Sequence, residues 1–384
     1  MKKNLITLAV ASTLATAMVS APAFADTSNV TVYGFANLSY DLTNNGVVGA
    51  NKVSSSQSRL GLKGSEDLGD GLSAIWQIEQ GINIDNSSNS CAAVAAGVAV
   101  PACTANNGIF ATRNTFLGLS SASTGTALLG RHDTPYKIAT RGLDLFADTI
   151  ADNRGLMGST AGGAGFTGVH DARLTDVVAY ISPAMSGFTG AIAYVAGAET
   201  TTTAAQVKGD AWSMAGLYGN GPLNASLAYQ VVNVGTAGTG TMGGFGGLGA
   251  NDKAKAWKLG VGYTMDAFTV NAAYENTSNN VGGVDSLGQN NWYLGGKYSF
   301  GNDAVKLAYT RAGDVQATPN SGAKQWALGY DHNMSKRTTL YALYTRLDNS
   351  TGSSYGLTSV STGATVGVAN QDPSAWSFGM KHTF

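Results

Sequence analysis

The chain of 384 residues carries 23 basic and 24 acidic side chains, and this balance offers no basic excess for binding nucleic acid. Hydrophobic residues make up 43% of it at a formal net charge of −1, which excludes a disordered protein. Only 12% of the residues are charged, and 51 glycines stand against 7 prolines, a composition that favours many strands and turns.

The first 25 residues have the pattern of a secretory signal peptide. Lys2 and Lys3 precede an apolar stretch, and Ala23-Phe24-Ala25 supplies a small-x-small cleavage pattern. The apolar stretch is shorter than the roughly 20 residues that a membrane-spanning helix needs. We therefore expect residues 1–25 to be removed after export, and residues 26–384 to form one mature domain.

Two cysteines, Cys91 and Cys103, bracket a segment rich in alanine and valine. In an oxidising compartment a disulfide between them would close a surface loop, and two free thiols are the alternative. Either state is structural and implies no chemistry at this pair.

Most segments between loops alternate apolar residues with polar or small ones, which indicates strands with two different faces. Aromatic residues gather near the segment ends, as in the interfacial girdles of membrane barrels. Sixteen such segments begin near Val30, Ser56, Leu72, Arg113, Thr126, Thr175, Thr189, Ala211, Leu223, Lys255, Phe268, Asn290, Ala304, Lys324, Arg337 and Ser374.

The connections between these segments alternate in length: seven short turns separate eight longer loops of roughly 10 to 40 residues. A meander of this kind closes into a barrel because every backbone N–H and C=O in hydrocarbon needs a partner. The sequence therefore predicts an all-β, 16-stranded antiparallel transmembrane barrel with short periplasmic turns and long extracellular loops. A soluble sandwich or propeller is the alternative fold.

Several stretches carry a resemblance to a known family. Val30-Thr-Val-Tyr-Gly-Phe35 looks like a first-strand motif, Ser58–Leu72 matches a second strand with its turn, and Gly379–Phe384 resembles a C-terminal strand with a terminal Phe. In these stretches the chain resembles the general porins of Gram-negative outer membranes, especially the betaproteobacterial kind.

The resemblance implies a homotrimer in the outer membrane that passes small hydrophilic solutes and ions without a cofactor. It also implies that the third long loop, residues 134–172, folds into the barrel and narrows it. Outer-membrane lipid, lipopolysaccharide and the barrel-assembly machinery are the expected partners, and Phe384 is the expected assembly signal.

The third loop carries three acidic residues, Asp144, Asp148 and Asp152, whose spacing of four would place them on one face of a helix. Alternation along the strands predicts that a set of cations faces them across the lumen, because a charge facing lipid would cost roughly 2–4 kcal/mol near the midplane. This set is Arg59, Lys63, Arg131 and Arg173. For Arg131 the alternation is counted from Leu128, taken as the neighbouring residue that faces lipid.

Two other functions fit parts of the chain. An outer-membrane hydrolase could recruit His132-Asp133 or His170-Asp171 with Ser353 or Ser354 as the nucleophile, and an adhesin could use the loops at 234–251 and 349–373. The histidines lack metal-ligand spacing. The pattern as a whole favours a non-enzymatic diffusion channel with no metal, and it leaves the sign of its ion selectivity open.

Overall fold

The computed structural model describes residues 29–85, 111–158, 170–197, 206–237, 248–282, 284–285, 287–357 and 367–384. The expected signal peptide, Cys91 and Cys103 lie outside the described residues. None of the described helices is long and apolar enough to span a membrane.

Sixteen antiparallel strands form the wall of the described part of the chain, and we number them β1 to β16. The strands are β1 (Thr31–Asn44), β2 (Gly49–Ser55 and Arg59–Gly69), β3 (Leu72–Gly81), β4 (Thr115–Ser121), β5 (Gly125–Asp133), β6 (Arg173–Ile181), β7 (Phe188–Ala196), β8 (Asp210–Asn220), β9 (Leu223–Asn233), β10 (Lys253–Met265), β11 (Phe268–Val281), β12 (Gln289–Phe300), β13 (Asp303–Ala312), β14 (Ala323–Asn333), β15 (Thr338–Asn349) and β16 (Ser374–Thr383).

The sheet contains eighteen segments, two more than the number of wall strands. Both segments of β2 pair with β1, so they are one strand interrupted between Ser55 and Arg59. The two-residue segment Val284–Asp285 pairs antiparallel with the end of β11 and forms a short hairpin with it, so it is not a separate wall strand. The predicted 16-stranded antiparallel barrel is therefore confirmed.

The barrel closes where its last strand meets its first. β16 pairs with β1 over ten residue pairs, from Phe35 opposite Thr383 to Asn44 opposite Ser374. Because the first and last strands are joined in this way, neither presents an unpaired edge to lipid.

The alternation expected from the sequence is present as two faces of the wall. In β10, Trp257, Leu259 and Val261 are exposed on the outside, whereas Ala256 and Lys258 are buried on the inside. An aromatic belt follows the outside of β10 to β16 near the long-loop end. Its residues are Trp257, Tyr274, Trp292, Tyr309, Trp326, Tyr344 and Trp376.

The seven short turns lie where the sequence predicts them, but two of the long connections are shorter than expected. Residues 45–48 alone join β1 to β2, because Gly49–Ser55 pairs with Leu38–Asn44 and extends β2 by seven residues. This polar segment lacks the apolar alternation by which strands were recognised, so the predicted start near Ser56 was wrong. Residues 282–288 form the second short connection, of seven residues.

The third long connection, residues 134–172, begins with helix α1 (Pro135–Arg141). The Thr134 hydroxyl accepts a hydrogen bond from the Lys137 N–H, and Pro135 occupies the first helical turn, where its missing N–H is not needed. Beyond the helix, the Leu143 carbonyl accepts from Asn271 (2.7 Å), and the Leu145 N–H donates to the Tyr293 hydroxyl (2.9 Å). These contacts with the inner faces of β11 and β12 place the loop inside the barrel.

Candidate pore constriction

The third loop borders a cavity of about 650 Å³ whose other walls come from β1 to β6 and the end of β16. Seven cationic and four acidic side chains line it. The cations are Arg59, Lys63, Arg113, Lys137, Arg141, Arg154 and Arg173, and the acids are Glu79, Asp133, Asp144 and Asp148.

On the wall, two aromatic rings of β1 contact cations of β2 and β16. The Arg59 guanidinium carbon lies 4.3 Å from the centre of the Phe35 ring, and Lys381 Nζ lies 4.1 Å from the same ring. Lys63 Nζ lies 5.4 Å from the Tyr33 ring centre. The negative ring faces attract these cations and hold them at the cavity without neutralising their charge.

Two acids of the wall are bound by neighbouring cations. Arg113 Nε donates a hydrogen bond to Glu79 (2.5 Å). The two carboxylate oxygens of Asp133 form ion pairs with Lys137 (2.8 Å) and Arg173 (2.9 Å). Because these carboxylates are paired at short range, their negative charge is largely offset within the wall.

The three aspartates of the loop are brought together by arginine rather than by a helix. Helix α1 ends at Arg141, before Asp144, so the spacing of four does not describe a helical face here. Arg141 reaches Asp144 (3.7 Å), Asp148 (2.9 Å) and Asp152 (2.6 Å). Arg154 contacts Asp152 at 2.9 Å and Asp148 at 3.7 Å.

The pKa values of these carboxyl groups are pushed apart. Burial, followed by the charge of Asp152, raises the pKa of Asp144 to about 6. Burial acts in the same direction at Asp148, but Arg141 and Arg59 outweigh it and lower the pKa of Asp148 to about 2. Arg141 and Arg154 likewise overcome burial at Asp152 and hold its pKa below the usual value. Asp144 is therefore the carboxyl group of this cluster that can gain a proton at mildly acidic pH.

Five of the seven predicted side chains line the cavity: Arg59, Lys63, Arg173, Asp144 and Asp148. Asp148 is the loop acid that approaches the wall, since its carboxylate lies 3.9 Å from Arg59. Asp152 is fully buried and serves to hold Arg141 and Arg154.

Arg131 is not among the cavity-lining residues, and its Nε donates to the Thr112 carbonyl at 3.0 Å. The structure corrects the parity on which its assignment depended. Leu128 is 3% exposed and lines the cavity, whereas Leu129 is 60% exposed on the outside. Arg131 shares the outward parity of Leu129, so alternation directs it away from the lumen.

Five cations at or beside the cavity were not predicted from the sequence: Arg113, Lys137, Arg141, Arg154 and Lys381. Arg141 and Arg154 lie on the predicted constriction loop. Their presence in that loop was the sequence signal from which they could have been predicted to line the cavity. Lys381 has the inward parity of its strand, opposite to the exposed Phe378 and Met380.

Two of the residues considered for hydrolysis, Ser353 and His132, lie against backbone carbonyls. The Ser353 hydroxyl is buried and lies 2.9 Å from the carbonyls of Gly322 and Ser350. His132 Nδ1 contacts the Asp133 carbonyl at 2.7 Å.

A model of the Gram-negative porin family matches residues 9–352. Outer membrane porin protein 32 of Delftia acidovorans is 30% identical over the full length of both chains. An outer membrane porin protein of Bordetella pertussis is 27% identical, with an alignment that covers 74% of this chain and 75% of the Bordetella protein.

Among solved structures, an anion-selective porin from Comamonas acidovorans aligns with a TM-score of 0.75 and 27% identity, covering 93% of this chain and all of that one. The trimer form of OmpT from Vibrio cholerae shares the fold alone, with a TM-score of 0.64 and 14% identity over 94% of this chain and all of that one. The chain belongs to the Gram-negative porin family, and it forms an outer-membrane channel for the passive diffusion of small hydrophilic solutes.

Proposed function

We propose that this porin selects solutes at the cavity beside the third loop and that it prefers anions. The observation that carries the proposal is the excess of three positive charges among the eleven charged side chains lining that cavity. The similar porin from Comamonas acidovorans is anion-selective, which supports the same sign.

The filter works through Arg59, Lys63, Arg113 and Arg173 on one side and Asp144 and Asp148 on the other. Opposed charges make a field across the passage in which polar solutes align, whereas an apolar solute disrupts ordered water there. An anion gains attraction from the excess positive charge, and the loop limits solute size. Arg141 and Arg154 form ion pairs with the aspartates of the loop and so reduce the negative charge that the loop presents to the passage.

Passive diffusion of a solute through the channel requires no chemical reaction. We therefore propose that the protein is not an enzyme and uses no cofactor. The structural hydrogen bonds of Ser353 support this, because its hydroxyl faces backbone carbonyls rather than an imidazole.

We further propose that the mature chain, residues 26–384, assembles as a homotrimer after removal of residues 1–25. Outer-membrane lipid, lipopolysaccharide and the barrel-assembly machinery are its proposed partners, Phe384 its assembly signal, and Cys91–Cys103 its disulfide. Stepwise bilayer currents in groups of three would support the trimer, whereas isolated single steps from the purified assembly would contradict it.

The test of selectivity is the reversal potential of a planar bilayer under a salt gradient. We expect an anion-preferring potential for the unchanged protein and a shift toward cations in Arg59→Gln. Arg131→Gln is the matched control, because it removes an equivalent arginine charge that does not line the cavity. A cation-preferring unchanged protein would refute the sign, and an equal shift in the control would refute the assignment to the cavity.

A further inference from the structure

The inner wall beside the junction of β16 with β1 contains a fully buried carboxylate, that of Asp41. Neither of its oxygens has a hydrogen-bond partner among the residues that the structure describes, and Asp41 forms no ion pair within the same ranges. Burial of an ionised carboxylate is strongly unfavourable unless a positive charge or hydrogen-bond donors compensate it. The surroundings of Asp41 therefore indicate what compensates it.

Those surroundings consist of hydroxyl groups from three neighbouring strands. Ser377 of β16 lies directly opposite Asp41, and Ser54 of β2 lies opposite Ser39, one inward step along β1. All three serines are buried, and the Ser54 hydroxyl has no hydrogen-bond partner among the described residues. We call Asp41, the three serines and the Tyr341 hydroxyl the seam pocket.

The hydroxyl protons of this pocket are directed away from its carboxylate. The Tyr341 ring crosses β16 at Gly379, where a Cβ would collide with it, and its hydroxyl donates to Asn37 Oδ1 (3.0 Å). The hydroxyls of Ser39 and Ser377 also hydrogen-bond to the Tyr341 oxygen. Because the tyrosine proton is already used, these two serines must be the donors. Their lone pairs remain available, so the pocket offers acceptors and lacks donors.

The third loop separates this pocket from the passage. Asn37 Nδ2 donates to the Asp148 carbonyl of the loop (2.8 Å). Ile150 belongs to the same buried hydrophobic cluster as Leu343, which lies opposite Ser377. No member of the seam pocket lines the constriction cavity. A ligand bound here would therefore stay out of the path of solutes.

The strand register places one cation near the carboxylate, Lys52 of β2, directly opposite Asp41. Lys52 is half-buried, and it forms no ion pair with Asp41. Carboxylate and hydroxyl oxygens are ligands of hard cations. The pocket supplies a single negative charge with a lysine nearby, a balance that favours a monovalent ion over a divalent one.

We propose that the seam pocket binds a monovalent alkali cation, with the Asp41 carboxylate and the Ser54 hydroxyl as its central ligands. The ion joins β1, β2 and β16 beneath the third loop. Because the pocket exists only in the folded barrel, binding stabilises the folded state. The site is independent of the proposed anion filter, since its side chains do not line the cavity.

The direct test is anomalous diffraction from crystals soaked in thallous acetate, because Tl⁺ occupies sites of monovalent cations. We expect an anomalous peak in contact with the Asp41 carboxylate that is lost in Asp41→Asn. Asp331→Asn is the matched control and should keep the peak, since Asp331 also faces inward but is paired with Lys306 (2.8 Å). The proposal is overturned if the unchanged protein shows no peak and the Lys52 amine or a water molecule occupies that position.

A second measurement follows the half-life of the folded barrel at a fixed high temperature, read from gel mobility, in NaCl, KCl and N-methyl-D-glucamine chloride of equal concentration. The better alkali salt should lengthen the half-life roughly tenfold when the ion is at about ten times its dissociation constant. Ser54→Ala removes a ligand without removing charge, so it should reduce this effect even if Asp41→Asn fails to fold.

Equal half-lives of the unchanged protein in all three salts would overturn the proposal. A half-life that responds to pH but not to the alkali ion would assign the compensation to a proton instead, and displacement of Tl⁺ by equimolar Ca²⁺ would overturn the monovalent assignment. The reversal potential of Ser54→Ala should equal that of the unchanged protein, so this test is separate from that of the filter.

Discussion

Asp144 stands out at the residue scale because its carboxyl group can change charge at mildly acidic pH. Its pKa of about 6, against an ordinary 3.8, means that the docked loop binds a proton there more tightly than a free carboxyl group does. As pH falls through 6, Asp144 loses its negative charge, and the excess of three positive charges at the cavity becomes four. We expect anion preference to rise on acidification from pH 7.5 to pH 5, as read from reversal potentials.

The same proton should also stabilise the docked loop. Below pH 6 the docked state holds the proton, so the stability contributed by this group increases as pH falls toward 4 and is lost as pH rises through 6. In Asp144→Asn the change in selectivity should disappear. His132→Gln is the control, because His132 also lines the cavity but packs against Phe116 and is expected to preserve the response. A full response in Asp144→Asn would contradict the assignment.

The sequence predicts lumen-facing charges well only where strand alternation is unambiguous. Arg59 lies opposite in parity to the exposed Leu60, and its side chain reaches the cavity. At Leu128-Leu129 two leucines are adjacent, so alternation alone does not say which faces lipid, and the choice reversed the placement of Arg131. The pairing of Arg141 with three acids depends on the path of an irregular loop, for which no sequence period exists.

At the scale of elements, the third loop is held by a buried hydrogen-bond network on the inner wall. The Tyr136 hydroxyl donates to Glu275 Oε2 (2.9 Å), and Glu275 Oε1 accepts the Gly158 N–H (2.8 Å) and the Asn291 amide (3.0 Å). Lys258 lies 4.1 Å from the Tyr136 ring centre and binds Asp171 at the other end of the loop (2.6 Å). One wall cluster thus fixes both ends of the constriction loop.

This network predicts the effect of removing a single hydroxyl. Tyr136→Phe takes a donor from a buried carboxylate, which should cost about 1–3 kcal/mol of loop docking. We expect noisier single-channel currents with more frequent changes in conductance. Tyr274→Phe is matched to it, since the Tyr274 hydroxyl also donates one side-chain hydrogen bond, to Asn290, but on the outside of the barrel. Equal noise in both variants would show that the loss is not specific to the loop anchor.

For the whole molecule, the barrel was predictable because two repeating signals agree along the chain. The alternation of apolar and polar residues shows which side chains of a strand face lipid. The contrast between short and long connections shows at which end of the barrel each strand begins and ends. The signals fail where the chain is polar on both faces: Gly49–Ser55 has no apolar side to mark it, and only its pairing with β1 makes it a strand. Closure itself follows from the requirement that no strand edge be left unpaired in lipid.

The seam between β16 and β1 is the last contact needed to complete this closure, and Phe384 lies at its end. The Phe384 N–H donates to the Gly34 carbonyl at 3.1 Å, one step beyond the pair of Phe35 with Thr383. Gly34 has no side chain, and a Cβ there would collide with the Arg59 carbonyl and lie 3.0 Å from the Phe384 ring. Deleting Phe384 removes this backbone bond and the partly exposed ring together, about 1–2 kcal/mol at the seam.

We therefore expect the deletion of Phe384 to lower the yield of folded barrel, measured by the heat-dependent mobility of the unboiled protein on gels. Phe384→Tyr keeps both the backbone and the ring and should assemble normally. Refolding in detergent separates two origins of a defect: a seam defect persists in vitro, whereas loss of a signal read by the assembly machinery appears only in cells. Normal yields of the deletion variant in both settings would refute a role for Phe384 in assembly.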